Sequence, residues 1–481
     1  MKLFNPLLII KILSTILLIE CGAFLMCLPV SYIFDEPKGP FLWSSGICFL
    51  ISLVFSLISQ KAESGRFSNR DGYLVVALAW LFFLALATLP YIISGVIPKF
   101  IDAFFETSSG FTTTGSTIIP DLNIVPKSIM FWRSLTHWIG GLGIIALVII
   151  ILPSLKVTGY QLFTLESSLK EKIHPKTKAI GFRILFIYLG LTAAQILFLI
   201  PGDMDWFESV CHSFATVATG GFSLKNDSIV SYSAYSQYVI MVFMFLAGVS
   251  QVVYYYIFKG NFHKVRHNEE LWFYLLITVM AGVLASSILL SKTSFTPEHA
   301  IREAFFNVIS IITTTGFASA DYLFWPVSGT LLLFLLLFAG ASTGSTTGSI
   351  KMARHIIVIK SIKSAFVKLI HPNALQNVRF NEKLVSEKTC VSIISFVILY
   401  LFIFLIGSIL IVITGSDVVT AASGVAASLG NVGPGLALAG PMSNYAHFPQ
   451  TAKVIFSLLM IIGRVEIIAI LTLFTSSFWK L

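Results

Sequence analysis

Four short elements rich in threonine and glycine recur along the chain, and their residue types could bind a cation. They read Thr112-Thr113-Thr114-Gly115-Ser116, Val217-Ala218-Thr219-Gly220-Gly221, Thr313-Thr314-Thr315-Gly316-Phe317 and Gly430-Asn431-Val432-Gly433-Pro434. Aligned on Gly115, Gly220, Gly316 and Gly433, they lie 105, 96 and 117 residues apart. Because glycine lets the backbone turn carbonyl groups inward, the oxygens here can replace the hydration shell of a weakly hydrated monovalent cation. The repetition predicts four walls around one axis.

The composition places these elements in a membrane protein. Of the 481 residues, 56% are hydrophobic and only 11% are charged, with a mean hydropathy of +0.87, whereas soluble domains carry about 25% charged residues. Apolar runs long enough to cross a bilayer, about 20 residues each, lie near 5 to 33, 39 to 60, 73 to 97, 129 to 153, 183 to 201, 234 to 258, 270 to 291, 328 to 350, 391 to 414 and 452 to 478. The sequence predicts a polytopic membrane protein whose first run is a retained span rather than a cleaved signal peptide.

Lysine and arginine are concentrated in alternate connecting segments, after the second, fourth, sixth and eighth runs. Because cytoplasmic loops carry an excess of these residues, both termini are predicted to be cytoplasmic. The net charge of +9 reflects this bias and attraction to anionic lipid, and we do not interpret it as nucleic-acid binding. The five cysteines have no paired spacing, so neither a disulfide framework nor a metal cluster is indicated.

Each Thr/Gly element follows a run of about ten residues that is too apolar for a solvated loop. The run is also too short to cross the membrane, which takes about 20 residues. Such runs are typical of re-entrant segments, which must be buried in protein or line a water-filled cavity. Four descending half-helices would direct the negative ends of their dipoles at one central point. The alternative is close packing of small residues between membrane helices. Four copies at the same topological position favour an ion filter.

A polar, glycine-rich stretch interrupts the eighth run. It consists of Gly340, Ala341, Ser342, Thr343, Gly344, Ser345, Thr346, Thr347, Gly348 and Ser349, and Lys351 follows shortly after. Three glycines and six hydroxyl residues in ten give a low helix propensity, and no phosphate-loop lysine has the required spacing. We interpret the stretch as a break in the helix that forms a movable gate under the filter. The alternative is a helix packed tightly against its neighbours.

Arg464 interrupts the last apolar run, and an arginine inside the membrane is a candidate functional residue by default. It is expected to face the pore near the glycine-rich stretch, where it either opposes a cation or holds the stretch through hydrogen bonds to carbonyl groups. A structural pair with Glu466 is the alternative, although positions two apart do not share a helix face. Arg133, near the outer end of its run, could extend its side chain to the interface. Several carboxylates, among them Glu106, either attract cations to the mouth or cap helices.

These segments together resemble the TrkH/KtrB family of the superfamily of K⁺ transporters. The resemblance is carried by the four Thr/Gly elements, by Trp132-Arg133-Ser134-Leu135-Thr136-His137-Trp138-Ile139-Gly140-Gly141-Leu142-Gly143, and by the interruption at 340–351. It implies an all-α membrane protein with four parallel helix–pore loop–helix repeats around a central pore. Two extra spans at the N-terminus favour the TrkH branch. The implied units are 1–70 for those two helices and 71–160, 161–262, 263–370 and 371–481 for the repeats, the third having a broken second helix.

The resemblance also implies the site. The ion-lining backbone would be Thr113, Thr114, Gly115, Ala218, Thr219, Gly220, Thr314, Thr315, Gly316, Asn431, Val432 and Gly433, with one glycine in each wall. A filter of this kind is shorter than the two-glycine filter of potassium channels, so we expect fewer sites and looser discrimination of K⁺ from Na⁺. The gate would comprise the stretch from Gly340 to Ser349 with Lys351 and Arg464.

The function implied by the resemblance is K⁺ uptake across the bacterial inner membrane, without enzymatic activity. A homodimer and a cytoplasmic TrkA-type subunit are implied as partners, with the nucleotide bound on that subunit and none on this chain. The basic segment from 351 to 390 is the expected docking surface. Two alternatives stay open: a symporter that couples K⁺ to H⁺ or Na⁺, and a receptor or scaffold that keeps the pore fold without conducting.

Overall fold

The computed structural model describes residues 5–61, 69–146, 176–373, 376–465 and 467–479. Its helices are Pro6–Met26, Leu28–Ile33, Gly39–Ile58, Asn69–Ala87, Leu89–Ile93, Phe100–Phe111, Lys127–Ala146, Lys176–Leu199, Trp206–Val217, Ala234–Gly248, Gln251–Phe258, Phe262–Arg266, Glu269–Lys292, Pro297–Ile312, Val327–Leu336, Met352–Ile370, Glu387–Ile413, Val418–Leu429, Gln450–Arg464, Ile467–Thr472 and Ser476–Trp479. Strand Ala339–Gly340 pairs in parallel with Ile350–Lys351, and Arg379–Phe380 pairs antiparallel with Lys383–Leu384. This architecture confirms the predicted all-α fold class.

Four repeats follow an N-terminal helix pair, Pro6–Met26 packed on Gly39–Ile58. Each repeat has an outer helix, a short pore helix and an inner helix. The outer helices are Asn69–Ala87, Lys176–Leu199, Glu269–Lys292 and Glu387–Ile413; the pore helices, numbered 1 to 4, are Phe100–Phe111, Trp206–Val217, Pro297–Ile312 and Val418–Leu429; the inner helices begin at Lys127, Ala234, Val327 and Gln450. The repeat boundaries drawn from the sequence stay a prediction, and the one at 160 lies outside the described residues.

Pore helices 2, 3 and 4 begin where the side chains of Asp205, Thr296 and Asp417 cap their first turn, whereas pore helix 1 has no side-chain cap. Asp205 accepts a hydrogen bond from the Glu208 N–H at 2.6 Å, and Asp417 accepts one from the Thr420 N–H at 3.0 Å. Such caps satisfy backbone donors that the helix itself leaves free. Pore helix 1 has 12 residues, which extend about 18 Å at 1.5 Å per residue. That is well short of the bilayer core, which is about 30 Å thick, so the helix ends at membrane depth.

Neighbouring repeats interlock through the pore helices. Pore helix 1 packs against the inner helices of the first and fourth repeats, pore helix 2 against those of the second and first, and pore helix 3 against those of the third and second. Pore helix 4 packs on its own inner helix, and its end meets the unwound stretch of the third repeat, where Gly348 approaches the carbonyl of Gly430. The four repeats therefore close into a ring. An inner helix makes three of the four contacts between neighbouring repeats, and the unwound stretch makes the contact between the third and fourth repeats.

Fewer helices than expected are long and apolar enough to cross a membrane alone. Among the described residues five qualify, and a sixth forms if Ala234–Gly248 and Gln251–Phe258, bent by 92°, count as one span. Other predicted spans are not continuous helices. The eighth apolar run is interrupted at residues 337–351, and the helix in the tenth run ends at Arg464. The serines and threonines of the break, from Ser342 to Ser349, and Arg464 are buried. The apolar runs located the spans, but the sequence did not show how many would be continuous helices.

Close contact between the first inner helix and pore helix 1 depends on Gly140. A Cβ there would come within 3.0 Å of the Phe111 backbone, whereas Gly143, one turn later, has no described atom within 4 Å. We expect Gly140→Ala to lower the melting temperature of the purified protein in detergent, because overpacking costs about 1–3 kcal/mol. Gly143→Ala is the matched control and should hold or raise it, since alanine favours the helix by about 1 kcal/mol. Equal melting temperatures for the two variants would contradict the packing described.

Candidate ion-conducting site

All four pore helices end in the same backbone motif. The residue two positions after the helix cap returns its N–H to a carbonyl five residues earlier: Thr114 to Ser109 at 2.9 Å, and Gly220 to Ala215, Thr315 to Ser310 and Val432 to Ala427 at 2.8 Å each. The residue before it returns its N–H three positions back in every copy. These paired bonds are a Schellman motif, which satisfies the last carbonyls of a helix. The four elements therefore have one backbone geometry in spite of their different sequences.

The motif places a side chain where glycine is usual. Thr113, Thr219, Thr314 and Asn431 have φ values of 51°, 56°, 52° and 53°, in the left-handed region. Asparagine tolerates this region, but a β-branched residue there is a conformational outlier. Each such residue stores about 1–3 kcal/mol of strain, and strain of this kind concentrates at functional sites. Three of the four walls hold a threonine in this state, although glycine would relieve it.

Glycines follow two residues later and bring the walls together. Gly115, Gly221, Gly316 and Gly433 have φ values of 90°, 79°, 82° and 102°. A Cβ on Gly115 would collide with the carbonyl oxygen of Gly220, one on Gly221 with that of Thr315, one on Gly316 with that of Val432, and one on Gly433 with that of Thr114. Each wall thus touches the next, and the fourth returns to the first. The four elements form a closed ring, and only glycine fits at its contacts.

The ring corrects the alignment of the second element by one residue. The glycine equivalent to Gly115 is Gly221, because Gly221 has the positive φ and the contact with the third wall. Gly220 occupies the position of Thr114, and Ala218 caps pore helix 2 where Thr112 caps pore helix 1. Two consecutive glycines allowed either alignment in the sequence. The predicted set therefore includes Ala218, which precedes the ring, and omits Gly221, which belongs to it.

One layer of carbonyl groups in this ring receives no hydrogen bond from the part of the chain that the structure describes. These are the carbonyls of Thr114, Gly220, Thr315 and Val432. Buried backbone carbonyls are almost always paired, so a set of four without a protein donor is chemically available to a cation. The next layer differs in the fourth wall, because the Gly433 carbonyl accepts the hydroxyls of Ser116 at 3.0 Å and Tyr445 at 3.2 Å.

A cavity opens on the outer side of the ring. All four ring glycines line it, and the charged residues among its described lining are the cations Arg133 and Lys225 rather than any carboxylate. Asp205 and Asp417 cap pore helices, and Asp102 pairs with Lys453 at 3.0 Å. Of the two interpretations of these carboxylates, the contacts of Asp205 and Asp417 match capping, whereas the ion pair of Asp102 was not among the sequence predictions.

A buried ion pair ties the first two walls together. Arg133 and Glu106 are 1% and 0% exposed, with Nε and Oε1 2.7 Å apart. Glu106 also accepts the Ile118 N–H at 2.8 Å, and Arg133 donates to the Ser223 carbonyl at 3.1 Å. The expectation that Arg133 extends to the interface is wrong. The sequence did not show the pair because its members are 27 residues apart and meet only when pore helix 1 packs on the first inner helix.

The stretch that interrupts the third inner helix lies against the ends of the pore helices. We call residues 341–349 the gate loop; its base is closed by the pairing of Ala339 with Ile350 and Gly340 with Lys351. Two strained residues of the ring contact it directly. Thr219 donates its hydroxyl to that of Thr346 at 3.2 Å, and Thr314 accepts the Gly348 N–H at 2.8 Å.

Arg464 and Lys351 also bind the gate loop. Arg464 is 4% exposed and donates to the Thr346 carbonyl at 2.6 Å and to the Gly140 carbonyl at 3.4 Å. Lys351 donates to the Thr347 carbonyl and, at 2.7 Å, to its hydroxyl. Of the roles predicted for Arg464, these contacts match the one in which it holds the stretch through hydrogen bonds to carbonyl groups. The alternative partner Glu466 lies outside the described residues.

Helices long and apolar enough to cross a membrane, together with a ring of pore-helix ends whose carbonyls receive no donor from the described residues, define a pore-loop transport protein. The chain belongs to the TrkH family of cation transport proteins, which it matches over residues 43–481. As expected from the sequence, this is a family of transporters rather than enzymes.

Relatives match along nearly the whole chain. The Trk system potassium uptake protein TrkH of Halomonas elongata is 32% identical, over 98% of this chain and 99% of that protein, and its namesake from Escherichia coli K12 is 33% identical over 88% of each. The crystal structure of the potassium transporter TrkH from Vibrio parahaemolyticus superposes with a TM-score of 0.88 at 28% identity, covering 98% of this chain and 99% of that one.

Replacing Glu106 tests the buried ion pair. We expect Glu106→Gln to destabilise the protein by about 3–5 kcal/mol, because it leaves Arg133 charged and unpaired inside the fold. The readout is the melting temperature and the folded yield in detergent. Glu298→Gln is the control, since Glu298 pairs with Arg302 at 56% exposure and an exposed pair contributes at most about 1 kcal/mol. Equal losses in the two variants would count against a special role for the buried pair.

Proposed function

We propose that this chain takes up K⁺ across the bacterial inner membrane through a channel-like pore, with both termini in the cytoplasm. The observation that carries the proposal is the ring of unpaired carbonyls from Thr114, Gly220, Thr315 and Val432. Carbonyl oxygens suit a weakly hydrated monovalent cation, whose hydration shell they replace. The names of the relatives, which describe potassium uptake, support the same ion.

The ring would act as the selectivity filter. Four pore helices point their C-terminal ends at it, so their dipoles favour a cation and disfavour an anion. The filter has one ring glycine in each wall, and the Gly433 carbonyl is already bonded to hydroxyl groups. We therefore expect few sites and weaker discrimination of K⁺ from Na⁺ than in a filter with two glycines per wall.

Serine at Gly316 tests the filter. Gly316 has φ of 82°, and a Cβ would strike the Val432 carbonyl, so Gly316→Ser should displace that oxygen and lower the ratio of K⁺ to Na⁺ flux by about tenfold, a change worth roughly 1.4 kcal/mol. The measurement is flux of K⁺, Rb⁺, Na⁺ and Li⁺ through purified protein in liposomes under an imposed voltage.

Two further variants make this test specific. Gly221→Ser should behave like Gly316→Ser, because the two residues are equivalent in the ring. Gly95→Ser is the matched control: Gly95 has φ of 76° with nothing within 4 Å, so it carries the backbone strain without the contact between walls. Unchanged selectivity in well-folded Gly316→Ser protein would overturn the filter assignment.

The same liposomes separate a channel from the alternatives. Flux that follows voltage alone, without a pH or Na⁺ gradient, is the result expected of a channel-like pore. Flux that starts only when a H⁺ or Na⁺ gradient is added would establish a symporter. A well-folded protein that conducts under neither condition, alone or with its cytoplasmic partner, would support a receptor or scaffold.

The gate loop would close the pore beneath the filter. It is held there by Thr219 and Thr314 from the ring and by Arg464 from the fourth repeat. These contacts join the loop to residues of the second, third and fourth repeats. Displacing the loop from the pore therefore requires several hydrogen bonds to break together.

Deleting residues 344–347 removes the part of the loop that Arg464 and Thr219 hold. We expect this deletion to raise K⁺ flux through the isolated protein by about tenfold or more, the shift produced by roughly 1.4 kcal/mol in a gating equilibrium, with little change in ion selectivity. Flux at the wild-type level in a folded deletion protein would contradict a gating role.

We further propose a homodimer and a cytoplasmic nucleotide-binding subunit that regulates the gate. The surface proposed for docking is the segment from 351 to 390, which includes the helix Met352–Ile370 and the short hairpin of Arg379–Phe380 and Lys383–Leu384. This segment is rich in lysine and arginine, which suits an acidic protein surface. The nucleotide would bind to the partner and none to this chain.

A further inference from the structure

Glu270 is a buried carboxylate that belongs to neither the proposed filter nor the proposed gate. It is the second residue of the outer helix Glu269–Lys292 and is 0% exposed. Its Oε1 atom accepts hydrogen bonds from the Thr343 N–H at 2.6 Å and from the Ala353 N–H at 3.0 Å. One oxygen atom therefore holds two backbone groups ten residues apart in the chain.

Those two groups lie on opposite sides of the gate loop. Thr343 is near its start, and Ala353 is just beyond its end. Close by, the Met352 N–H bonds to the Ala341 carbonyl at 3.2 Å, and the strand pairing joins Gly340 to Lys351. Glu270 adds a side-chain anchor from a different helix to this base. Because the anchor comes from the outer helix, it fixes the loop to the frame of the third repeat.

The Ala353 bond also completes a helix. The helix Met352–Ile370 is preceded by the N-cap residue Lys351, whose side chain makes no capping hydrogen bond and reaches Thr347 in the gate loop instead. Ala353 is in the first turn, where backbone N–H groups have no partner within the helix. A carboxylate at a helix N-terminus is favourable because of the helix dipole. Glu270 therefore supplies from outside the cap that the sequence of this helix lacks.

We infer that Glu270 is a positioning residue that holds the gate loop beneath the filter and couples the loop to the helix Met352–Ile370. This inference rests on the proposed gating function. Since Oε1 binds both Thr343 and Ala353, a displacement of the helix that moves Ala353 also weakens the bond to the loop. The helix Met352–Ile370 is the first part of the basic segment proposed as the docking surface. A bound partner that displaces this helix therefore acts directly on the gate loop.

Three single variants test the inference by K⁺ flux through the full chain in liposomes under voltage. Glu270→Ala removes the acceptor of both hydrogen bonds and should raise flux by at least about tenfold, the shift expected from losing even one hydrogen bond to a charged group. Glu270→Gln keeps an oxygen at the same place and should stay within about threefold of wild type. Glu298→Ala is the control, because the Glu298 carboxylate is 56% exposed and pairs with Arg302 in its own helix, away from the gate loop and from Met352–Ile370, and its flux should equal wild type.

Two further measurements separate positioning from general damage. The ratio of K⁺ to Na⁺ flux should be unchanged in Glu270→Ala, because the ring is intact, and rescue by glutamine is not expected of a merely destabilised protein. If Glu270→Ala fails to fold, Glu270→Asp replaces it, since a side chain one methylene shorter cannot reach both N–H groups and should also raise flux.

The reference for all variants is the deletion of residues 344–347. If the deletion raises flux and Glu270→Ala does not, the positioning role is wrong while the gate stands. If neither raises flux, the gate proposal fails and this inference fails with it. Glutamine with the same flux as alanine would overturn the hydrogen-bond account.

Discussion

The constraint on which the structure depends is that backbone ends at membrane depth must be satisfied without water. Four pore helices end there, and each resolves the problem in the same way, with a Schellman motif followed by a ring glycine. The motif pairs the last helical carbonyls, but the next layer, at Thr114, Gly220, Thr315 and Val432, receives no hydrogen bond from the residues that the structure describes. The fold thereby brings four such carbonyl oxygens together in one ring.

Keeping this layer in position requires strain and close packing. Three threonines hold a left-handed conformation, at about 1–3 kcal/mol each, and the glycine contacts between walls stop the ring from relaxing. The buried pair of Glu106 and Arg133 fixes the first two walls to each other from behind. Two of these three threonines, Thr219 and Thr314, also make hydrogen bonds to the gate loop. In the proposed mechanism, the filter and gate therefore share residues, so a change in one bears directly on the other.

The repeats are equivalent in backbone but not in role. The third inner helix unwinds into the gate loop, and that loop takes the place beside pore helix 4 that an intact inner helix takes beside the others. In the fourth wall Asn431 replaces a threonine, and its amide donates to Thr114 in the first wall at 3.0 Å and to the Met460 carbonyl at 2.9 Å. This cross-link suits asparagine, which tolerates the left-handed region. In the proposed mechanism, the asymmetry lets one chain hold both a fourfold ring and a single gate.

Hydropathy and the Thr/Gly repetition were sufficient to predict a polytopic membrane protein, four walls around one axis and the break in the third inner helix, because these patterns are local. The all-α fold class with its four pore repeats came from the resemblance to the TrkH/KtrB family. The sequence could not fix the alignment at Gly220 and Gly221, since only the contact with the third wall distinguishes two adjacent glycines. Nor could it pair Glu106 with Arg133 or Glu270 with Thr343, because these contacts form between separate helices. The bend after Gly248 was missed because apolar residues continue across it, so the hydropathy of this run shows no break.

The most direct test of the central claim is to locate the ion. Anomalous diffraction from crystals grown with Rb⁺ in place of K⁺ would show where a potassium-like cation binds. The account predicts a peak on the axis of the ring, equally close to the carbonyl oxygens of Thr114, Gly220, Thr315 and Val432. A peak confined to the outer cavity, or no peak near these four oxygens while other sites are occupied, would contradict it.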